Sequence, residues 1–219
     1  MRVLAIDTSS DVGGITILSS NNEINRLGIG DSGKLAENIY SMIEKVLINS
    51  NINITCIDLF SAVLGPGSFT GLRVALSVIK AFAFSLNKPV YGIDTMRLMA
   101  HAAFKTRDTS RVFIVQNARR GEVFISLFDR SLKEIEGVRI ISSAELLNVL
   151  KREKCPAVIR EVELANLFPD PLEVICVERD LSLSCAELSL VALKEGLAPF
   201  LPSELEPIYV RNDVVRSKR

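Results

Sequence analysis

Two short stretches hold the residue types that act on phosphates or metals. Asp7-Thr8-Ser9-Ser10 sets one carboxylate beside three hydroxyls directly after an apolar run. Gly65-Pro66-Gly67-Ser68-Phe69-Thr70-Gly71 sets three glycines between a second apolar run and a helical stretch. Strand, glycine turn and helix N-terminus is an arrangement that holds phosphate through backbone N–H groups. The nucleotide-binding spacings, however, are not met. Walker A needs G-x-x-x-x-G-K-[ST], whereas five residues separate Gly65 from Gly71 and Leu72-Arg73 follows. The dinucleotide pattern G-x-G-x-x-G fails at Thr70, where its third glycine belongs. Both stretches also suit purely structural work: glycines permit a tight turn under a packed helix, and Asp-Thr-Ser-Ser is ordinary hairpin-turn chemistry.

Hydrolytic and metal chemistry is short of ligands. His101 is the only histidine, which excludes a two-His metal site and an H-E-x-x-H metalloprotease. It lies in Leu98-Met99-Ala100-His101-Ala102-Ala103-Phe104, an apolar helical setting rather than that of a catalytic triad. Cys56, Cys155, Cys176 and Cys185 form no C-x-x-C pair and have no spacing to a histidine cluster. They read as small apolar side chains in a reducing compartment, neither a disulfide framework nor a zinc site.

The elements that must position these residues alternate between strand and helix. Strands are predicted over 3–6, 13–18 and 24–29, then a helix with apolar positions at helical spacing over 35–47, capped by Asp31 or Ser32. The run 59–64, apolar but for Ser61, reads as a strand buried on both faces. After the glycine turn come a helix over 70–86, a strand over 90–93 and a helix over 95–104 opened by Asp94. The polar stretch 105–110 reads as a linker between a first lobe, 1–104, and a second, 105–219. In the second lobe the predicted strands are 112–115, 122–128, 139–141, 157–159 and 173–177. Helices there run over 142–151, with Glu145 near its capping serines, and from the capping box Ser184-Cys185-Ala186-Glu187 to Gly196. Strand triplets followed by alternating helices and strands, twice over, predict an α/β protein of two mixed sheets with helices on their faces.

The helix over 70–86 is apolar almost all the way round and leaves only a narrow strip with Arg73, Ser77 and Lys80. Such a girdle must be covered on more than one side. Helix-on-helix packing within the chain would do this, and so would the face of a second protein. The helix over 35–47 has a stripe that is likewise wider than one contact needs.

Charge bounds the partners. Of 219 residues, 26 are Lys or Arg and 26 are Asp or Glu, so the chain as a whole has no electrostatic footprint for nucleic acid. The balance is uneven. The last nine residues hold Arg211, Arg216, Lys218 and Arg219 against Asp213, leaving 22 basic and 25 acidic residues in the body. With 6% aromatics and no Trp, a base-stacking platform is not expected either. No apolar run reaches the about 18 residues of a spanning helix, and the run 3–6 is too short for a signal peptide. The expectation is a cytoplasmic protein that engages no membrane.

Taken together, Leu4-Ala5-Ile6-Asp7-Thr8-Ser9, Gly65-Pro66-Gly67-Ser68-Phe69-Thr70-Gly71-Leu72-Arg73, Asn117-Ala118-Arg119-Arg120-Gly121-Glu122-Val123 and Pro207-Ile208-Tyr209-Val210-Arg211 resemble the TsaB family, also called YeaZ. This is a bacterial subunit of the tRNA threonylcarbamoyladenosine machinery. The resemblance covers the first 130 residues and the start of the tail. It implies an actin- and Hsp70-like (ASKHA) fold of two ribonuclease H-like lobes, in a protein once labelled glycoprotease-like. It also implies a non-catalytic subunit that binds and activates TsaD, which transfers the threonylcarbamoyl group to the adenosine beside the anticodon, with TsaE joining as an ATPase and a homodimer forming when the chain is alone.

On that basis Leu35, Ile39, Met42 and Val46 of the first helix and Arg73, Leu76, Lys80 and Phe84 of the second are the expected partner interface. Asp7, Thr8, Ser9 and Ser10 are the expected places for a nucleotide or phosphate. No stably bound cofactor or metal is implied, ATP or ADP being expected only at an interface shared in the complex. Contact with tRNA is expected indirectly or through the basic tail. The alternative is a stand-alone ASKHA ATP-dependent enzyme. Two departures from the family pattern stand out: Gly30-Asp31-Ser32-Gly33 replaces a His-Ser-Glu-like segment, and Asn117-Ala118-Arg119 replaces Asp-Ala-Arg.

Overall fold

In a computed structural model, which describes residues 1–21, 23–29, 35–153, 155–168 and 171–210, the first two runs form an antiparallel hairpin, β1 (Arg2–Asp7) and β2 (Gly13–Ser19). β3 (Ile24–Ile29) extends it on the β2 side. On the other side β4 (Leu59–Gly65) and β5 (Val90–Asp94) add in parallel, giving the order β3-β2-β1-β4-β5. Every residue of β4 is buried, Ser61 included, as a run that is apolar but for that one serine predicts. Two helices pack on this sheet, α1 (Leu35–Asn49) and α2 (Phe69–Leu86). Ser68 caps α2 by accepting from the Gly71 N–H at 3.3 Å, and Asn87 ends it in the left-handed conformation at φ 50°.

The second sheet repeats the first. After α3 (Thr95–Thr106), β6 (Arg111–Arg119), β7 (Glu122–Asp129) and β8 (Glu134–Ser142) form an antiparallel triplet, on which β9 (Ala157–Ile159) and β10 (Val174–Cys176) add in parallel beside β6. The order β10-β9-β6-β7-β8 is the topology of the first sheet with each strand replaced by its counterpart. α4 (Ser143–Glu153) starts on the expected capping box: Ser142 N donates to Glu145 Oε2 at 3.1 Å, and Glu145 N donates to Ser142 Oγ at 3.3 Å. The predicted α/β architecture of two mixed sheets flanked by helices is the one observed.

The division between the lobes differs from the expected one at residue 104. The chain separates into Met1–Thr95 with Asp180–Ile208, and a second unit built on Met96–Arg179. The polar stretch 105–110 is the last turn of α3 and a surface loop, not a boundary. The last helix, α5 (Ser182–Lys194), returns to the first unit and buries Ser182, Ser184, Cys185, Ala186, Ser189 and Leu190 there. It also begins two residues before the predicted capping box, because Asp180 Oδ1 accepts from the Ser182 N–H at 2.8 Å and ties off the first turn. After α5 the chain lays residues 197–208 along the same unit: Phe200 N donates to Val90 O at 2.9 Å, Ile208 N donates to Leu64 O at 2.8 Å, and Leu205 is fully buried. By length and composition α2 alone among the described residues is able to cross a membrane. Seven of its residues, however, lie buried in the first unit, and Arg73 and Lys80 interrupt it.

Candidate protein-interaction face on the first unit

Asp7, Thr8 and Ser9 are interior residues, with 0, 1 and 2% of their surfaces exposed. Asp7 ends β1, and its carboxylate is already engaged. Oδ1 accepts from the Ser9 N–H at 2.9 Å and from the Ser9 hydroxyl at 2.5 Å, and Oδ2 accepts from the Leu181 N–H at 2.8 Å. The last bond places a negative charge at the N-terminus of α5, where the helix dipole favours it. Thr8 Oγ1 donates to Gly71 O at 2.8 Å, and the Ser10 hydroxyl binds Val12 O within the turn.

The glycine turn is built to meet this cluster. A Cβ on Gly67 would lie 2.3 Å from Ser9 O, and one on Gly71 would lie 2.1 Å from Thr8 O. Only glycine lets the two backbones approach so closely. The 65–71 turn and the 7–10 turn are therefore each other's packing partners. Asp7, Thr8, Ser9 and Ser10, the expected places for a nucleotide or phosphate, thus bond within their own turn, to the glycine turn and to the start of α5. Among the described residues no three His, Cys, Asp or Glu side chains come together as a metal site. His101 is half-buried on α3 in the second unit.

A seam of small polar groups fastens α5 to the same sheet. Thr16 Oγ1 and Ser182 Oγ are 2.7 Å apart, Ser61 Oγ lies 2.6 Å from Ser189 Oγ and 3.0 Å from Cys185 Sγ, and Arg26 Nε donates to Asp180 Oδ2 at 2.9 Å. Burial pushes the Cys185 thiol from its ordinary 9.0 up to about 12, and the nearby Asp7 and Asp180 carboxylates push in the same direction. The native state thus keeps this proton after the unfolded chain has released it. The thiol's stabilising contribution is complete below pH 9 and declines as pH rises toward 12, by about 1.4 kcal/mol per pH unit in the limit. Urea titrations across that range should show a steep alkaline loss of stability in the native sequence and a flatter one in Cys185→Ser. Parallel losses would contradict the assignment.

The expected interface residues divide by burial. Ile39, Met42 and Val46 on α1 and Leu76 on α2, at 0, 9, 1 and 3% exposure, are core residues and not surface anchors. The physical reason is orientation: the apolar stripe of each helix turns first toward its own sheet, burying about 1.5–3 kcal/mol per aliphatic side chain. The side chain of Leu35 lies outside the described residues, as do Gly30, Asp31, Ser32, Gly33 and the tail 211–219.

What remains outside is a different set. Phe84 is 82% exposed, and Arg73 stacks its guanidinium 3.8 Å above the Phe69 ring. Lys80, at the flank, pairs with Glu206 at 3.0 Å. One-turn spacing places Arg73, Ser77, Ala81 and Phe84 on one exposed strip of α2. On α1 Tyr40 and Ile48 are 61 and 68% exposed. The Tyr40 ring meets Phe82 edge to face at 6.5 Å, and Phe82 in turn stacks on Phe60 at 5.8 Å. Tyr40 falls at the same helical spacing as the core positions Ile39 and Ile43. The surplus width of that stripe was the available signal that some of it stays outside.

The family model for TsaD, tRNA N6-adenosine threonylcarbamoyltransferase, matches residues 32–198. A Haemophilus influenzae protein named tRNA threonylcarbamoyladenosine biosynthesis protein TsaB is 29% identical over 234 residues, covering 100% of this chain and 97% of the relative. The Escherichia coli protein of the same name is 29% identical over 231 residues, covering 100 and 98%. In fold the chain is similar to a Pseudomonas aeruginosa protein described as similar to peptidase YEAZ, with TM-score 0.80, 19% identity and coverage of 96 and 99%. It is equally close to YeaZ from the same organism, with TM-score 0.78, 19% identity and coverage of 95 and 99%.

Proposed function

The chain belongs to the tRNA N6-adenosine threonylcarbamoyltransferase family, with the relatives named TsaB, and from that membership we propose that it serves threonylcarbamoyladenosine biosynthesis as a non-catalytic subunit that binds and activates TsaD. One observation carries the proposal: α2 sinks one side into the first unit yet leaves Phe84 82% exposed on the other. An aromatic ring held out on a rigid helix is costly in water and is the typical anchor of a protein interface. Arg73, Ser77 and Ala81 continue the same strip, and the small side chains let a partner helix approach closely.

In this reading TsaD performs the transfer to the adenosine beside the anticodon. The present chain fixes TsaD in its active conformation, TsaE joins the assembly, and a second copy of the chain covers the strip when TsaD is missing. The chain acts in the cytoplasm. Alone it holds no nucleotide stably, because Asp7 is committed to the start of α5, Thr8 to the glycine turn, Ser9 to Asp7 and Ser10 to Val12 within its own turn. ATP or ADP enters only at the interface shared with TsaD.

Reconstitution tests the proposal. TsaD supplied with threonylcarbamoyl donor and unmodified tRNA should form modified tRNA faster when the chain is added, and the chain alone should form none. Modification by TsaD that does not respond to the chain would refute the activating role. Calorimetry of the isolated chain with magnesium-ATP addresses the stand-alone enzyme, for which a clear heat of binding would be required.

A further inference from the structure

The turn between β6 and β7 departs from ordinary backbone geometry at three successive residues. Arg119 pairs with Glu122 across the ladder, so Arg120 and Gly121 form a two-residue hairpin loop. Their φ angles are 65° for Arg119, 55° for Arg120 and 75° for Gly121. Two-residue hairpin loops in this left-handed region favour Asn or Gly, because a Cβ there crowds the following carbonyl. Arginine has no such preference, yet two arginines occupy consecutive left-handed positions.

The surroundings hold this geometry in place. Asn117 Oδ1 accepts from the Arg119 N–H at 2.7 Å, while Ser143 donates to Gly121 O through its N–H at 2.9 Å and through its hydroxyl at 3.0 Å. Both arginines are exposed, and neither guanidinium has an ion pair or hydrogen bond among the described residues. Strain is thus retained at a position where the side chains do nothing for the fold.

We propose that the Arg119–Arg120 hairpin tip is a contact for the phosphate backbone of tRNA. The inference rests on the family reading above, which supplies RNA as the substrate class. Guanidinium groups grip phosphate oxygens through two parallel N–H donors, and a stiff hairpin presents both groups without ordering a loop. The body of the chain is acidic, with 25 acidic against 22 basic residues before position 211, so diffuse attraction to RNA is weak and contact must be concentrated at a site of this kind. Phosphate contacts set register and carry no base preference. The tip therefore orients tRNA in the complex and does not select its sequence.

The test is anisotropy of fluorescein-labelled, unmodified tRNA titrated with the full chain, alone and with TsaD added, for the native sequence and for Arg119→Asn combined with Arg120→Gly. Both replacements suit left-handed φ, so the double variant should melt at or above the native temperature. Arg120→Gly alone makes half the change. Loss of two phosphate contacts should make the fall in affinity between about 50 and about 200 mM salt about tenfold smaller in the double variant than in the native protein. Superimposable salt dependences would overturn the proposal, as would native protein that shows no salt-dependent tRNA binding in either form. So would a double variant that loses TsaD while keeping the tRNA slope, since the tip would then serve an acidic protein surface. Failure to bind TsaD defeats the subunit reading alone, because the titration without TsaD still reports on the tip.

Discussion

Phe84→Glu should weaken association with TsaD by about 100-fold or more while leaving the melting temperature within about 2 °C of the native value. The side chain is 82% exposed and makes little contribution to the core, so replacing it costs the isolated chain almost nothing. At the centre of an interface the same change buries a carboxylate in an apolar pocket without a partner, which is among the costliest events in binding. Titration of TsaD by calorimetry reads the affinity, and differential scanning reads the stability. Tyr40→Ala should have a smaller effect, since part of that ring is already used against Phe82 at 6.5 Å. A charge at Leu76 tests nothing about the interface: at 3% exposure it would unfold the first unit. Native affinity in Phe84→Glu would mean that the exposed strip of α2 faces solvent in the complex too.

Asp7→Ala should destabilise the first unit by about 3 kcal/mol or more, because three donors that now bond to a carboxylate would be left buried and unsatisfied. Those donors are the Ser9 N–H, the Ser9 hydroxyl and the Leu181 N–H at the start of α5. Asp7→Asn, which retains one acceptor oxygen and the shape, should lose less. Urea denaturation followed by circular dichroism measures the difference. A catalytic aspartate behaves in the opposite way: its alanine variant keeps the fold and loses the reaction. Unchanged stability in Asp7→Ala would return this residue to the list of chemical groups.

Local patterns told much of this in advance. The run of β4, apolar but for Ser61, and the Ser142–Glu145 box of α4 each follow from a short stretch of chain, and each is found where the stretch places it. Orientation was harder to read. A helical wheel for α1 or α2 shows how wide the apolar stripe is but has no mark for the side that meets the sheet. Ile39, Met42, Val46 and Leu76 were thus assigned outward when they point inward. The return of α5 to the first unit was illegible for a different reason. Its inner face is made of Ser182, Ser184, Cys185, Ala186 and Ser189, small residues that give no amphipathic signal, and its partners Thr16, Ser61 and Asp7 lie more than a hundred residues away. Asp7 itself carried the residue type of a catalytic group. Only the tertiary structure shows that its oxygens serve Ser9 and the last helix.

Whether the chain works through a protein partner is read by light scattering after size exclusion of an equimolar mixture with TsaD. A single species heavier than TsaD by at least one 24.1 kDa chain is expected, and separate species when Phe84→Glu replaces the native protein. Native chain and TsaD eluting as two unshifted species at micromolar concentration would contradict it.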